Sequence, residues 1–446
     1  MRSYIPNTGA DRQAMLQEIG KSCVEDLFAA IPQELRLKTP LHIPSAQSEM
    51  EAAGKVKALA SSNKSTDNLI CFLGAGAYDR YIPAVVDQLL LRQEFYTAYT
   101  PYQPEISQGT LQAIFEYQSM ICALTGLDVS NASLYDGASA LAEAMILSCK
   151  ETGRKGVAVS RAVHPQGREV LRTYARFQGI AVSEFGWKNG VVDMDGLKAA
   201  LTPDIACVIV QNPNFLGCIE DLEKIAEAAR ANGSLLVVSC EPISLALLKS
   251  PGEAGADIAV GEGQGMGNTL SFGGPYLGFI AAKEKLLRKM PGRIVGQTAD
   301  AEGTRGFVLT VQTREQHIRR EKATSNICSN EALCALAATI YLTALGKDGL
   351  VQAATLSLQK AKYAYDRLIE TGKFKPLWNA PFFGEFALAY KGNTGKLNKH
   401  LLAHNILGGY ELESAYPELK NGWLVAVTEK RTKEEIDMLV RRAVEA

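Results

Sequence analysis

The run from Cys207 to Ser239 constrains the fold most. Cys207 to Gln211 is an apolar strand, followed by a turn at Asn212-Pro213-Asn214. A helix then starts near Asp221, with Leu222, Ile225, Ala226 and Ala229 on one face, and Gly233 ends it. Leu235 to Ser239 is a second apolar strand. Strands that lack alternation bury both faces, as parallel strands joined by crossover helices must. Val157 to Ser160 has the same character, and the pattern extends from Leu69 to roughly Arg320. Repeated βαβ units imply a mainly parallel, doubly wound α/β sheet.

Three segments follow from this reading. Residues 1–65 form a helical arm, with Asp11 as cap of a helix through Ile19 and with Val24, Leu27, Phe28 and Ile31 at helical spacing before Pro32. The polar stretch Ser61 to Asp67 closes the arm. Residues 66–329 form the large α/β domain. Residues 330–446 form a small C-terminal α+β domain: helices at Asn330–Leu345, Thr355–Glu370 and near Leu397–His404, and strands at Glu385–Tyr390 and Trp423–Thr428. Its last helix opens on Thr432 and Glu435, a capping box.

Composition excludes several classes. A net charge of -1 over 446 residues offers no electrostatic footprint for nucleic acid or an anionic membrane. The apolar stretches read as too short to span a bilayer. The nine cysteines include no Cys-x-x-Cys pair, so no metal ligation is expected and buried reduced thiols are. The first residues carry no apolar leader core, and a cytoplasmic location is the expectation.

Four segments carry a family resemblance. They are Tyr4-Ile-Pro-Asn-Thr8 with Asp11, Met15 and Leu16; Leu73-Gly-Ala-Gly-Ala-Tyr78 with Tyr81-Ile-Pro83; Tyr99-Thr-Pro-Tyr-Gln-Pro-Glu-Ile-Ser-Gln-Gly109 leading into Leu111, Gln112, Phe115, Glu116, Tyr117 and Gln118; and Thr313-Arg-Glu-Gln-His-Ile-Arg-Arg-Glu-Lys-Ala-Thr-Ser-Asn326. In that order they resemble the glycine decarboxylase P-protein of the glycine cleavage system, specifically its N-terminal half or separate first subunit. The resemblance implies the type I fold of pyridoxal-phosphate-dependent transferases, with a large α/β and a small C-terminal domain. It implies glycine as substrate, with the cofactor ring taking up electrons as the carboxylate leaves. The aminomethyl group would then pass to the lipoyl arm of a carrier H-protein.

That chemistry needs a lysine to hold the cofactor as a Schiff base and an acid near the pyridine nitrogen. The strand Leu235 to Val238 ends in Ser239-Cys240-Glu241-Pro242, without the expected aspartate. Glu241 is the substitute on offer, although Pro242 redirects the chain there. No lysine lies between Lys249 and Lys283, where Gly261-Glu-Gly-Gln-Gly-Met-Gly-Asn268 replaces a lysine-bearing loop. The chain is therefore expected to be inactive alone and to complete the site of a second, β subunit that holds the cofactor covalently, in an α2β2 assembly.

Three segments are candidates for that shared site. The proline-stiffened loop carries Tyr99, Tyr102, Gln103, Glu105, Ser107 and Gln108; it either aims hydroxyls at a small polar substrate or is a packed interface loop. The basic stretch carries Arg314, His317, Arg319 and Lys322, which suit a carboxylate, a phosphate or a docking carrier, or else make a solvated helix face. Gly273, Gly274 and Tyr276 could approach a neighbour's cofactor phosphate, or form a plain turn. His164, in Ala-Val-His-Pro, sits where this fold places a ring on the cofactor, with a structural role favoured here. Asp136-Gly-Ala-Ser139 reads as a helix cap before an anion site. The competing functions are an autonomous pyridoxal-phosphate enzyme, with Lys322 as the least implausible lysine, and a structural assembly subunit.

Overall fold

The computed structural model describes residues 7–446, so Tyr4, Ile5 and Pro6 of the first motif lie outside the described residues. The chain forms two compact units, Met1–Lys64 and Ser65–Ala446, divided within the polar stretch.

The first unit is helical. Its helix Gly9–Glu18 is capped by Thr8 rather than Asp11: Asp11 N–H donates to Thr8 Oγ1 at 3.2 Å, and Thr8 N–H donates to Asp11 Oδ2 at 2.7 Å. The hydroxyl three residues ahead of the carboxylate completes a reciprocal box, which moves the start upstream. Ser48 and Glu51 repeat the device on helix Glu49–Ser61. Leu35, Leu37, Leu41, Ile43, Met50 and Leu59 remain 67–82% exposed.

The second unit is built on a seven-stranded sheet. Its strands are β1 (Val129–Ser130), β2 (Gly156–Ser160), β3 (Ala181–Phe185), β4 (Ile205–Asn212), β5 (Leu235–Cys240), β6 (Ile258–Glu262) and β7 (Gly278–Ala282), in the order β1-β7-β6-β5-β4-β2-β3. The pairs from β3 through β6 are parallel, and β7 runs antiparallel to β6 and β1. Alternate residues of one strand enter opposite cores. Val208, Val210, Leu236 and Val238 face helices α1 (Gln108–Thr125) and α4 (Leu222–Ala231). Ile209, Leu235 and Val237 face α2 (Gly137–Thr152) and α3 (Pro165–Gln178). The four apolar positions of α4 read from sequence are its buried residues. Covering both faces leaves only strand ends and loops open for chemistry.

A hairpin, β8 (Ile294–Ala299) and β9 (Arg305–Thr310), lies along α1. Two glutamines of that helix hold it. Gln108 Oε1 accepts Phe307 N–H at 2.8 Å while its Nε2 donates to Phe307 O at 2.9 Å. Gln118 repeats this on Val295, at 2.9 Å each way. A primary amide offers one donor and one acceptor side by side, so it pairs a peptide unit as a strand would.

The two C-terminal helices expected near 330–345 and 355–370 are both present within the run α5 (Ala332–Glu370), which Gly346 breaks. Gly346 has φ 59° and ψ -172°, a conformation essentially reserved for glycine. By length and composition this run matches a membrane span, as core helices also do, but Gly346 divides it into two helices. Here it spans two cores: Ala335, Ala338 and Tyr341 enter the large one, Ala361, Ala364 and Leu368 the small one. The small sheet, in the order β10 (Phe374–Pro376), β11 (Glu385–Tyr390), β13 (Gly422–Ala426) and β12 (Tyr410–Glu411), is antiparallel. Helices α6 (Thr394–Ala403) and α7 (Lys433–Glu445) cover it through Leu397, Leu401, Ile436 and Leu439.

Gln118→Ala strands the N–H and C=O of Val295 in a buried place and is expected to cost about 2–4 kcal/mol in urea denaturation. Gln108, at an exposed position, should cost clearly less on the same substitution. Equal losses for the two would contradict this account of the hairpin.

Candidate functional site

The carboxyl ends of β5 and β6, where a sheet of this kind binds its ligands, are filled by the chain itself. Glu262, the last residue of β6, places Oε2 3.0 Å from Gly137 N–H at the start of α2. Its Oε1 accepts from Gln264 N–H at 3.0 Å and Leu277 N–H at 2.9 Å. A Cβ on Gly137 would come within 2.9 Å of Glu262 N, so only glycine allows this approach. Asp136 and Ser139 cap the same terminus reciprocally, as expected. An internal carboxylate thus holds the place a phosphate would take.

The rest of that site is also spent. Gln264, in the lysine-free loop, accepts from Tyr78 N–H at 2.8 Å and donates to the carbonyls of Tyr78 at 3.1 Å and Asn268 at 2.8 Å. Glu241 pairs with buried Arg80 at 3.1 Å, and Arg80 reaches Glu429 at 2.7 Å. Glu385 accepts Ala75 N–H at 2.6 Å and Tyr78 O–H at 2.7 Å, and burial pushes its pKa above the usual carboxylate value. The motif Leu73–Tyr78 therefore plugs the cleft. His164 lies edge-on to Phe215 at 4.8 Å between centroids. Its Nδ1 accepts from Gln166 N–H at 3.2 Å, so Nε2 carries the proton and donates to Ala75 O at 2.8 Å. Burial lowers its pKa. The cavity left beside Tyr78, Arg80, Glu241 and Glu385 is about 20 Å³, against roughly 300 Å³ or more for small-molecule sites. Without a lysine, and with the anion place and ring space filled, these residues do not fit pyridoxal phosphate.

An open cleft lies elsewhere, where the Tyr99 loop meets the start of α5. It encloses about 240 Å³, between Tyr96, Tyr99, Pro101, Ile114, Leu333 and Leu336, with Tyr117, Arg293 and Asn330 among its polar members. Arg293, 6% exposed, donates from Nη2 to Tyr102 Oη at 3.1 Å and sits 5.5 Å from that ring's centre. Its Nε has no hydrogen-bond partner and lies 3.8 Å from Glu315 Oε2. The buried Tyr117 hydroxyl also lacks a partner. Apolar walls with a few unsaturated polar groups suit a ligand or chain with an apolar stem and a polar end.

The candidate residues divide around this cleft. Tyr99, 86% exposed, lines it, and Tyr102 is held by Arg293 with His317 edge-on at 6.3 Å. Gln103 and Glu105 are exposed on the loop and Ser107 is half-buried. Gln108 is committed to the hairpin rather than to the cleft. Arg314 spends its guanidinium on the carbonyls of Met290, Gly292 and Val311, so it is a backbone clamp instead of a free anion ligand. Arg319 binds Thr313 O at 3.1 Å, while Lys322 is exposed. The Phe272–Tyr276 loop is open: Phe272 is 79% exposed, and a Cβ on Gly273 would meet nothing within 4 Å. Ser271 and Phe272 sit there at φ 42° and 54°, a left-handed pair that costs about 1–3 kcal/mol each. Sequence reasoning missed Arg293 and Asn330. Arg293 follows a Pro-Gly turn outside every motif, and only the fold carries it under Tyr102.

Glu143 of α2 anchors the end of the basic stretch through Ser325 Oγ at 2.9 Å. It is buried, its Oε2 has no partner, and desolvation pushes its pKa up to about 7. As pH rises from about 4.5 to about 7, the unfolded chain loses this proton and the folded chain keeps it. The stability Glu143 contributes at low pH is therefore lost across that window. Glu143→Gln stays neutral throughout, so the wild-type melting temperature should fall relative to the variant as pH rises through it. Parallel profiles would refute the assignment.

Comparison with known proteins agrees with this geometry. A family profile described as glycine cleavage system P-protein matches residues 2–442. A protein of Desulforamulus reducens named "Probable glycine dehydrogenase (decarboxylating) subunit 1" is 55% identical over 98% of each chain. One of the same name from Desulfitobacterium hafniense is 54% identical over 98% of each. A crystal structure of glycine decarboxylase (P-protein) in inhibitor-bound form superposes with TM-score 0.91 at 43% identity, covering 100% of both chains. Sphingosine-1-phosphate lyase of Burkholderia pseudomallei shares the fold, at TM-score 0.66, 14% identity and 93% of this chain. The fold is that of type I pyridoxal-phosphate enzymes. With its motifs, its sheet order and these relatives in agreement, the chain belongs to the glycine cleavage system P-protein family.

Proposed function

We propose that this chain is the cofactor-free subunit of a two-chain glycine dehydrogenase (decarboxylating), working beside a second subunit in an α2β2 assembly. The observation that carries the reading is the closed strand-end site, where Glu262 holds the α2 terminus and Gln264 stands in a loop without lysine. Chemistry then has to use another chain's cofactor, and the exposed arm residues Leu35 to Leu59 supply apolar surface for that chain to cover. On this reading pyridoxal phosphate held by the partner would supply an electron-accepting ring for the loss of carbon dioxide from glycine.

This chain's part is to shape the surroundings. Arg293 fixes the Tyr102 hydroxyl and supplies a cation behind it. The apolar walls around Tyr99 and Leu333 exclude water, which strengthens those polar contacts. His317, Arg319 and Lys322, exposed on the basic stretch, serve anionic substrate or the docking of the lipoylated H-protein. The exposed, strained Phe272–Tyr276 loop is the segment that reaches toward the partner's cofactor phosphate, although the N–H groups of Gly273 and Gly274 donate to the carbonyls of Leu270 and Ser271 in this chain alone.

Purified alone with pyridoxal phosphate, the chain should give no stoichiometric adduct reducible by borohydride. A reduced phosphopyridoxyl-lysine mapped to it would overturn the proposal. In the two-subunit complex, Tyr102→Phe and Arg293→Lys should lower glycine-dependent carbon dioxide exchange about 10- to 100-fold, the worth of a charged hydrogen bond. Full activity in assembled complexes of both variants would leave this chain a structural subunit.

A further inference from the structure

The small domain carries a group of side chains that the glycine chemistry does not use. His400 and His404 sit one turn apart at the end of α6, and Glu445 ends α7. Packing of Leu397 and Leu401 against Ile436 and Leu439 brings the two helices together, so the cluster rests on rigid elements. One donor atom from each residue falls in a set within 4.8 Å of one another.

The protonation pattern suits a cation. His404 Nδ1 lies 2.9 Å from His400 O, and a carbonyl only accepts. Nδ1 therefore carries the hydrogen, and Nε2 keeps its lone pair, the arrangement a backbone carbonyl imposes on ligating histidines. His400 Nε2 is buried without a hydrogen-bond partner, and Glu445 Oε2 is 3.9 Å from it, too far to satisfy it. The rings of the two histidines stand 4.6 Å apart. Arg442 Nη1 lies 2.6 Å from Glu445 Oε2 and holds that carboxylate at the end of α7.

We propose that His400, His404 and Glu445 bind one divalent transition ion of the borderline class, represented by Zn²⁺, which clamps the end of α7 to α6. Bonds of about 2.0–2.2 Å place tetrahedral ligands about 3.3–3.6 Å apart. Turning the exposed Glu445 carboxylate away from Arg442 supplies the closure. Two imidazoles and a carboxylate leave the fourth position to water, and the site lies on the small domain's helical layer, with a structural role. A search for ligands by cysteine spacing passes over it, because the donors are an i, i+4 histidine pair joined to a distant helix end.

The test uses the untagged full chain. Zn²⁺ titration by calorimetry should give one equivalent, and His404→Ala and Glu445→Gln should each weaken binding at least about tenfold. Zn²⁺ should raise the melting temperature of the wild type and not of His404→Ala. Co²⁺ as a second probe should show nitrogen and oxygen ligation without a thiolate charge-transfer band. No saturable binding, unchanged affinity in either variant, or a thiolate band, as exposed Cys328 would give, overturns the proposal. Because Glu445 is exposed at a helix end, its variant decides the matter if His404→Ala misfolds.

Discussion

The Glu262 carboxylate on the first N–H group of α2 sets the terms for the rest of the molecule. A helix N-terminus in a buried strand-end cleft calls for an anion, and one supplied by the chain needs no ligand. Around that contact the neighbouring groups close in turn. Gln264 satisfies the backbone of Tyr78, Tyr78 satisfies Glu385, and Arg80 joins Glu241 to Glu429. Apart from Arg80 Nε, which has no partner, these polar groups are matched within the same chain, and the cleft keeps little room for a cofactor.

Further unsatisfied groups lie outside the inner site. Arg293 Nε and the Tyr117 hydroxyl are buried without partners at the open cleft. Such groups are costly in an isolated chain and useful where a ligand or a second subunit completes them. The amide pairs from Gln108 and Gln118 hold the hairpin that leads into the basic stretch, and Arg314 clamps that stretch to Met290 and Gly292. Gln108, Gln118 and Arg314 are thus scaffolding that keeps the exposed members of their motifs in place.

Much of the fold was legible because burial imposes periodicity. The α4 face of Leu222, Ile225, Ala226 and Ala229 and the apolar β5 could hardly be read another way. The missing lysine was legible for a simpler reason, that its chemistry has no substitute among side chains. Other features left no local trace. Thr8 displaced Asp11 as a cap because both residue types favour that position. The break at Gly346 falls between the two expected helices, yet its dihedral angles could not be read from a single glycine.

The sequence by itself determined the sheet, the helices around it, the family and the lysine-free stretch between Lys249 and Lys283, because these follow from residue type and spacing along the chain. Only the tertiary structure decided that Glu262 fills the anion place, that His164 is tied to Ala75, that Gln108 and Arg314 serve the backbone, and that Arg293 lies beneath Tyr102. Those outcomes depend on pairs separated by scores of residues. A polar side chain takes whichever partner the packed core brings within hydrogen-bonding distance, and no local pattern encodes that choice.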